Sequence, residues 1–255
     1  MRDGLLISVM SSCKCYKTLL TEIVRKDVIR YLDYLDQLYH GRIHIDPDIA
    51  EIKYKMKNHR TEKIENINTE ISTLEQLQLT VSVCTKCALH KTRKNVVFGQ
   101  GSDREKLVII GEAPGAEEDQ TGEPFVGRAG QLLTKMLSAI DIQRENVYIC
   151  NVLKCRPPGN RDPLADEIKM CSNYLDMQLD FLKPNYILAL GRIAAMRLLG
   201  KQSTMKEFRE GAHSYKGIPV HVTYHPSALL RNPNWKYPAW EDLKRLKELL
   251  DGNNG

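Results

Sequence analysis

The sequence predicts an α/β fold, a parallel sheet covered by helices on both faces. Two observations carry that reading. From residue 106 onward, short apolar runs alternate with stretches of helical periodicity, and no internal repeat interrupts the alternation. The runs are also continuously apolar and stop at a polar or glycine residue, as strands buried on both faces do when they deliver a loop.

The elements follow in order. Between residues 16 and 39, apolar residues recur at Leu20, Val24, Val28, Tyr31, Leu35 and Leu38, which predicts one amphipathic helix ending near His40-Gly41. Residues 46–73 are rich in Lys, Glu and Asn and read as a polar connector. The domain boundary is placed near 72–80, making residues 1–78 a helical N-terminal extension with its linker and residues 79–255 the main domain. There, 106–111 is the first strand and 129–140 a helix with Leu132, Leu133, Met136, Leu137 and Ile140 on one side. Residues 147–153 form a second strand, 163–182 a helix, 186–191 a third strand, 192–199 a helix, 218–224 a fourth strand and 240–250 a closing helix. In such sheets ligands gather at the carboxyl ends of the strands.

Composition sets the class. A chain of 255 residues, 42% apolar and 27% charged, fits a globular protein with one large domain plus an extension. No run approaches the roughly 18 apolar residues of a membrane span, and Leu-Leu-Ile-Ser-Val-Met at 5–10 is short for a secretory segment, so a cytoplasmic protein is expected. Residues 1–80 hold 12 basic and 12 acidic side chains, so the net charge of +5 sits wholly in residues 81–255. That excess is compatible with a phosphate backbone as partner without requiring one.

The seven cysteines are unevenly placed. Cys84-x2-Cys87 with the more distant Cys155 and Cys171 can close a four-thiolate site, and the spacing alone leaves an iron-sulfur cluster and zinc both open. Cys13 and Cys15 stand too close for a zinc loop and read as ordinary thiols, while Cys150 ends an apolar run and reads as core. Three of the four strands run into polar residues: Gly111-Glu112 after the first, Asn151 at the tail of the second, His225-Pro226 after the fourth. Convergence of these at one rim is the expectation.

Four segments carry a resemblance. Gly111-Glu-Ala-Pro-Gly-Ala-Glu-Glu-Asp119, Gly122-Glu-Pro-Phe-Val-Gly-Arg-Ala-Gly130, Asn151-Val-Leu-Lys-Cys-Arg-Pro-Pro-Gly-Asn-Arg161 and His225-Pro-Ser-Ala-Leu-Leu-Arg231 resemble the family 4 uracil-DNA glycosylases, the iron-sulfur members of their superfamily. The resemblance runs from about Val81 to Leu250, and residues 1–75 lie outside it. It implies a three-layer sandwich around a four-stranded parallel sheet, and a repair enzyme that flips uracil out of DNA and hydrolyses its N-glycosidic bond to leave an abasic site. It also implies roles. Glu112 orients water and offsets positive charge on the sugar, and His225 stabilises negative charge at uracil O2. Phe125 stacks on the base, and Asn151 pairs with its edge in a pattern that cytosine inverts. Gly111, Ala113 and Glu118 line the same subsite, with Glu118 helping to exclude thymine's methyl group. Leu229, Leu230 and Arg231 form a loop that wedges into duplex DNA. Cys84, Cys87, Cys155 and Cys171 match the ligands of a 4Fe-4S cluster, with Lys86, Lys91, Arg93, Lys94 and Arg156 around it.

The implied partner is uracil-containing DNA, with no membrane, a monomeric state, and an N-terminal region open to a protein partner. A DNA-binding or redox-sensing relative without catalysis is the alternative, against which the intact Glu112, Phe125, Asn151 and His225 argue. Relatives that capture DNA covalently through an inserted basic loop fit less well, since Arg128-Ala-Gly130 runs straight into Gln131-Leu-Leu.

Overall fold

The computed structural model describes residues 71–101 and 107–252. The helix expected over 16–39, residues 46–70 of the connector expected over 46–73, and Cys13 and Cys15 lie outside the described residues. Residues 71–255 form one compact unit.

The unit opens with α1 (Leu74–Ser82), started by Thr73, whose hydroxyl accepts from the Gln76 N–H at 3.2 Å. Its buried residues Leu77 and Val81 pack with Leu89, Phe98, Leu153, Cys155, Cys171 and Tyr174. The boundary drawn at 78/79 therefore falls inside this helix. Next come β1 (Leu107–Gly111), α2 (Ala116–Thr121), α3 (Arg128–Ser138) and β2 (Tyr148–Asn151). They are followed by α4 (Ala165–Leu182), β3 (Tyr186–Leu190), α5 (Arg192–Leu199) and α6 (Met205–Glu210). The chain continues through β4 (His213–Tyr215), β5 (Ile218–Thr223), α7 (Pro226–Arg231) and α8 (Lys236–Gly252).

The sheet order is β2-β1-β3-β5-β4. Four strands are parallel, with β1 between β2 and β3 and β5 beyond β3. The sheet has five strands rather than four, because β4 pairs antiparallel with β5 at the edge. The two are joined by Lys216 (φ 48°) and Gly217 (φ 85°), a two-residue turn with both residues left-handed, which matches the twist of a hairpin. His-Ser-Tyr carries no apolar run, so periodicity could not reveal it. The other expected elements depart by a residue or two at their ends, apart from α8, which starts at Lys236 rather than 240; the short helices α1, α2 and α6 were not foreseen, and α7 stands where a loop was expected.

Side chains alternate across the sheet. Val108, Ile110, Cys150, Ile187, Ala189, Val220 and Val222 face α4, α5 and α6 through Leu175, Leu179, Ala194, Leu198 and Phe208. Leu107, Ile109, Ile149, Leu188 and Leu190 face α3, α7 and α8 through Leu133, Leu137, Leu229, Leu243 and Leu246. The three-layer sandwich is thus present, and Cys150 is core as expected.

A buried ionic knot ties α8 to the sheet. Asp242, fully buried, accepts from Arg209 Nε at 2.6 Å and from the Thr223 hydroxyl at 2.8 Å, and also pairs with Arg245. Arg209 in turn lies 4.7 Å from the Tyr224 ring, which stacks on Trp235. Thr223 and Tyr224 are the two residues before His225, so the knot fixes the approach to that side chain.

Candidate active site and thiol cavity

The carboxyl rim of the sheet collects the polar residues. Gly111 and Asn151 are register partners at the ends of β1 and β2. Past the last paired residues the two chains stay zipped, with Val152 N–H donating to Gly111 O and Leu153 N–H to Glu112 O, both at 3.0 Å. Asn151 is 1% exposed, and its Oδ1 is buried without a hydrogen-bond partner. Such an orphan acceptor is costly unless something fills it.

Phe125 stands against it. A Cβ on Gly111 would come 2.5 Å from the Phe125 Cζ and would also collide with Asn151 Oδ1, so the ring edge and the carboxamide meet at that glycine. Phe125 itself has φ 53°, a left-handed backbone that a phenylalanine adopts only when its surroundings impose it. Three contacts do so. The buried Glu118 carboxylate accepts from Val126 N–H at 3.0 Å and Gly127 N–H at 3.1 Å, and Arg144 Nη2 donates to Pro124 O at 2.6 Å. Gly130, on α3, leaves room for the Phe125 carbonyl where any Cβ would overlap it. Glu118 is therefore the anchor of the Phe125 turn, and in the first turn of α2 Glu118 and Asp119 are buried while Glu117 is exposed. Asp119 is 3% exposed and accepts from Lys94 N–H at 2.9 Å.

His225 completes the rim. Gly191 at φ 87° passes so close that a Cβ there would lie 3.0 Å from the His225 Cβ. The Phe125 and His225 ring centroids are 5.5 Å apart. His225 also caps α7, its Nδ1 accepting from the Ser227 N–H at 3.2 Å. Because a backbone N–H can only donate, the neutral ring carries its proton on Nε2. Burial, aided by the nearby Arg231 charge, pulls the imidazole down to about 4, so it is neutral at physiological pH.

Glu112 is shifted the other way. Burial first and Asp162 second raise its carboxyl above the usual range, opposed by Arg192 and Arg231. The Arg231 charge acts on both Glu112 and His225. The structure thus brings Gly111, Glu112, Phe125, Asn151 and His225 to one rim, with Glu118 directly behind.

Two expected residues stand elsewhere. Leu229, expected on a DNA-contacting loop, is 2% exposed and packs into the core under α7, while Leu230 is 40% exposed. The segment is helical because Pro226 occupies its first turn, where a missing N–H costs nothing and the ring pre-sets φ. A helix sends neighbours to different faces, so one leucine goes in and the next goes out. Ala113 packs instead with the hydrophobic group that surrounds the cysteines.

Cys84, Cys87, Cys155 and Cys171, all free thiols, line one cavity together with Val81, Lys86, Arg93, Lys154, Met170 and Tyr174. Donors point at the sulfurs: Arg93 Nη1 to Cys155 Sγ at 3.1 Å, Tyr174 Oη to Cys84 Sγ at 3.3 Å, and Lys86 N–H to Cys84 Sγ at 3.5 Å. Burial pushes the Cys155 thiol up to about 11 and raises Cys171 as well, against Arg93 and Lys154 respectively. Among the described residues no three His, Cys, Asp or Glu side chains are grouped to hold a metal ion as they stand. Of the basic residues expected here, Lys86 and Arg93 line the cavity, and Arg156 Nε donates to Asn160 Oδ1 at 2.7 Å.

Sequence reasoning missed the anchoring role of Glu118, the brace of Arg144 and the burial of Lys154. Lys154 had one signal, its place between Leu153 and Cys155 within a motif; the others depend on contacts between separate segments.

Comparison with known proteins agrees with this geometry. The family model described as the uracil DNA glycosylase superfamily matches residues 98–244. The type-4 uracil-DNA glycosylase of Archaeoglobus fulgidus is 42% identical over 187 residues, 70% of this chain and 94% of that protein. Those of Sulfurisphaera tokodaii (43% over 188 residues, 70% and 86%) and Pyrobaculum aerophilum (44% over 179 residues, 67% and 91%) are similarly related.

Proposed function

We propose a uracil-excising role for this chain, which belongs to the uracil DNA glycosylase superfamily and, within it, to the type-4 glycosylases. It is a repair glycosylase that hydrolyses the N-glycosidic bond of deoxyuridine in DNA. The observation that carries the residue-level reading is the unpartnered, buried Asn151 Oδ1 beside the Phe125 ring.

A flipped uracil supplies what that atom lacks. Its N3–H donates to Asn151 Oδ1 while its O4 accepts from the same amide's Nδ2. Cytosine presents an acceptor at N3 and a donor at its exocyclic amine, leaving both halves of the amide opposed. Phe125 packs on the pyrimidine face.

Bond cleavage moves the electron pair of the C1′–N1 bond onto the base, where it delocalises to O2. His225 Nε2–H is the donor for that oxygen, and a neutral imidazole suffices because it is held in place before charge develops. Positive charge grows on the sugar, and the Glu112 carboxylate offsets it. Water adds at C1′, and Glu112 takes its proton, a transfer favoured by the raised affinity of that carboxyl for protons. The uracil anion then takes up a proton and Glu112 gives up its own to solvent, so the products are free uracil and an abasic site. Each of these groups comes from one chain, so the chemistry requires no residue from a second copy.

A 4Fe-4S cluster fits the thiol cavity by its donor set: four cysteines line one cavity, and hydrogen-bond donors are aimed at the sulfurs of Cys84 and Cys155. When bound it supplies a structural clip between the segment before β1 and the segments carrying Cys155 and Cys171. Arg231 and the exposed Leu230 are the candidate contacts to DNA.

The test is incubation with an oligonucleotide bearing one uracil, followed by alkaline cleavage of abasic sites. Strand scission at the uracil is expected, and an intact strand across pH and salt refutes the reading. Asn151→Ala and His225→Ala should each abolish scission while DNA binding survives.

A further inference from the structure

Lys154 is among the largest fully buried side chains of the unit, at 1% exposure. Its Nζ donates to the backbone carbonyl of Asn151 at 2.8 Å, and its side chain helps to line the thiol cavity. Among the described residues it has no salt-bridge partner; its other near neighbour is the Phe98 ring, 5.9 Å from Nζ. Burying an ammonium group without an anion is strongly unfavourable, so such a side chain implies a counter-charge. Four neutral thiols provide none, whereas four thiolates around a metal cluster do.

We propose that Lys154 is a positioning residue that balances the charge of the thiolate-bound cluster and, through the same ammonium, holds the Asn151 carbonyl, joining cluster binding to uracil recognition. This deepens the reading above and rests on its cluster. The mechanical link is short. Asn151 to Cys155 is one continuous segment, with Val152 and Leu153 zipped to Gly111 and Glu112 and with Lys154 O accepting from Val97 N–H at 2.8 Å. A shift of Lys154 is therefore felt at the carboxamide rather than absorbed by a loop.

The experiment compares anaerobically purified wild type, Lys154→Met and Lys154→Arg as full chains. Iron per chain and the visible absorption band are followed during incubation with a chelator, and kcat and KM are measured on uracil-containing DNA. Lys154→Met is expected to lose iron about tenfold faster, with partners of metal ligands commonly costing 10–100-fold in affinity. Its KM should rise about tenfold with a smaller change in kcat, the pattern of weakened base binding. Lys154→Arg, which keeps the charge, should restore iron retention. Metal-free Lys154→Met should melt no lower than metal-free wild type, since it sheds an unbalanced charge.

Unchanged iron retention in Lys154→Met overturns the proposal, as does metal-free Lys154→Met melting below metal-free wild type. Wild-type protein purified without iron sinks the cluster and the charge-balancing role together. Wild-type protein that holds iron but excises no uracil sinks the glycosylase reading and leaves the iron comparison standing.

Discussion

Gly111→Ala tests whether base recognition is set by the meeting of two side chains at one hydrogen-sized gap. The added Cβ would lie 2.5 Å from Phe125 Cζ, about 0.9 Å short of the 3.4 Å at which ordinary contact begins, and would also overlap Asn151 Oδ1. Neither neighbour yields easily. Phe125 is pinned through Glu118, Arg144 and Gly130, and Asn151 through the zipped strands and Lys154. Overpacking of this kind costs about 1–3 kcal/mol of stability. If the side chains retreat instead, a displacement near 1 Å at a recognition site costs on the order of 10²-fold in rate. Single-turnover excision from a uracil oligonucleotide should therefore fall about 10²-fold, equivalent to ~2.7 kcal/mol, while the protein still folds and binds DNA. Gly130→Ala, whose Cβ meets the Phe125 backbone itself, should lower the melting temperature more than Gly111→Ala does. Wild-type excision by the Gly111→Ala protein would refute the reasoning, because it would mean that ring and carboxamide do not jointly hold the base.

Glu118→Ala leaves two backbone donors of the Phe125 turn without their acceptor, at about 1–3 kcal/mol for each that stays buried; KM for uracil DNA should rise and Glu118→Gln, which keeps an acceptor, should recover most of it. In the pH–rate profile, excision should hold through neutral pH and fall on the acid side above pH 4.5, the ordinary carboxyl value, as Glu112 takes up its proton early. A raised folded-state value means the fold binds that proton more tightly than the unfolded chain does, so its stability contribution is lost as pH rises; Glu112→Gln should raise the melting temperature at pH 7. His225 has the opposite sign: between 6.5 and about 4 the unfolded chain takes a proton that the fold excludes, so stability falls with pH there and His225→Gln should lessen the fall in acid melting curves. Leu230→Ala should slow excision from duplex DNA and leave stability within about 0.5 kcal/mol, whereas Leu229→Ala should cost about 2–5 kcal/mol in denaturant unfolding.

Much of the fold was legible because the strands are short apolar runs whose ends carry the chemistry. Gly111, Asn151 and His225 each stand where such a run stops, and parallel pairing with common polarity leaves those ends on one rim. The edge strand β4 was not legible, since a partly exposed strand needs no apolar face. The helical state of Pro226–Arg231 was hidden because six residues are too few for periodicity to show. Hence the different fates of Leu229 and Leu230 emerged only with the backbone in place. The cysteines were readable as a set from their spacing, but the charge beside them was not. Lysine is rarely fully buried, so a sequence reading assigns it to solvent by default.

The Asp242 knot carries a consequence for α8. All of the pocket's side chains precede Asn232, so a product cut short after Asn234 would still encode the full catalytic set. It would lack Asp242, however, and with it the acceptor shared by Arg209, Arg245 and Thr223, together with the helix that seals one face of the sheet. The guanidinium of Arg209 would then be stranded beneath Tyr224, next door to the imidazole. Loss of α8 would thus silence repair from a distance, without touching a single atom that meets the damaged base.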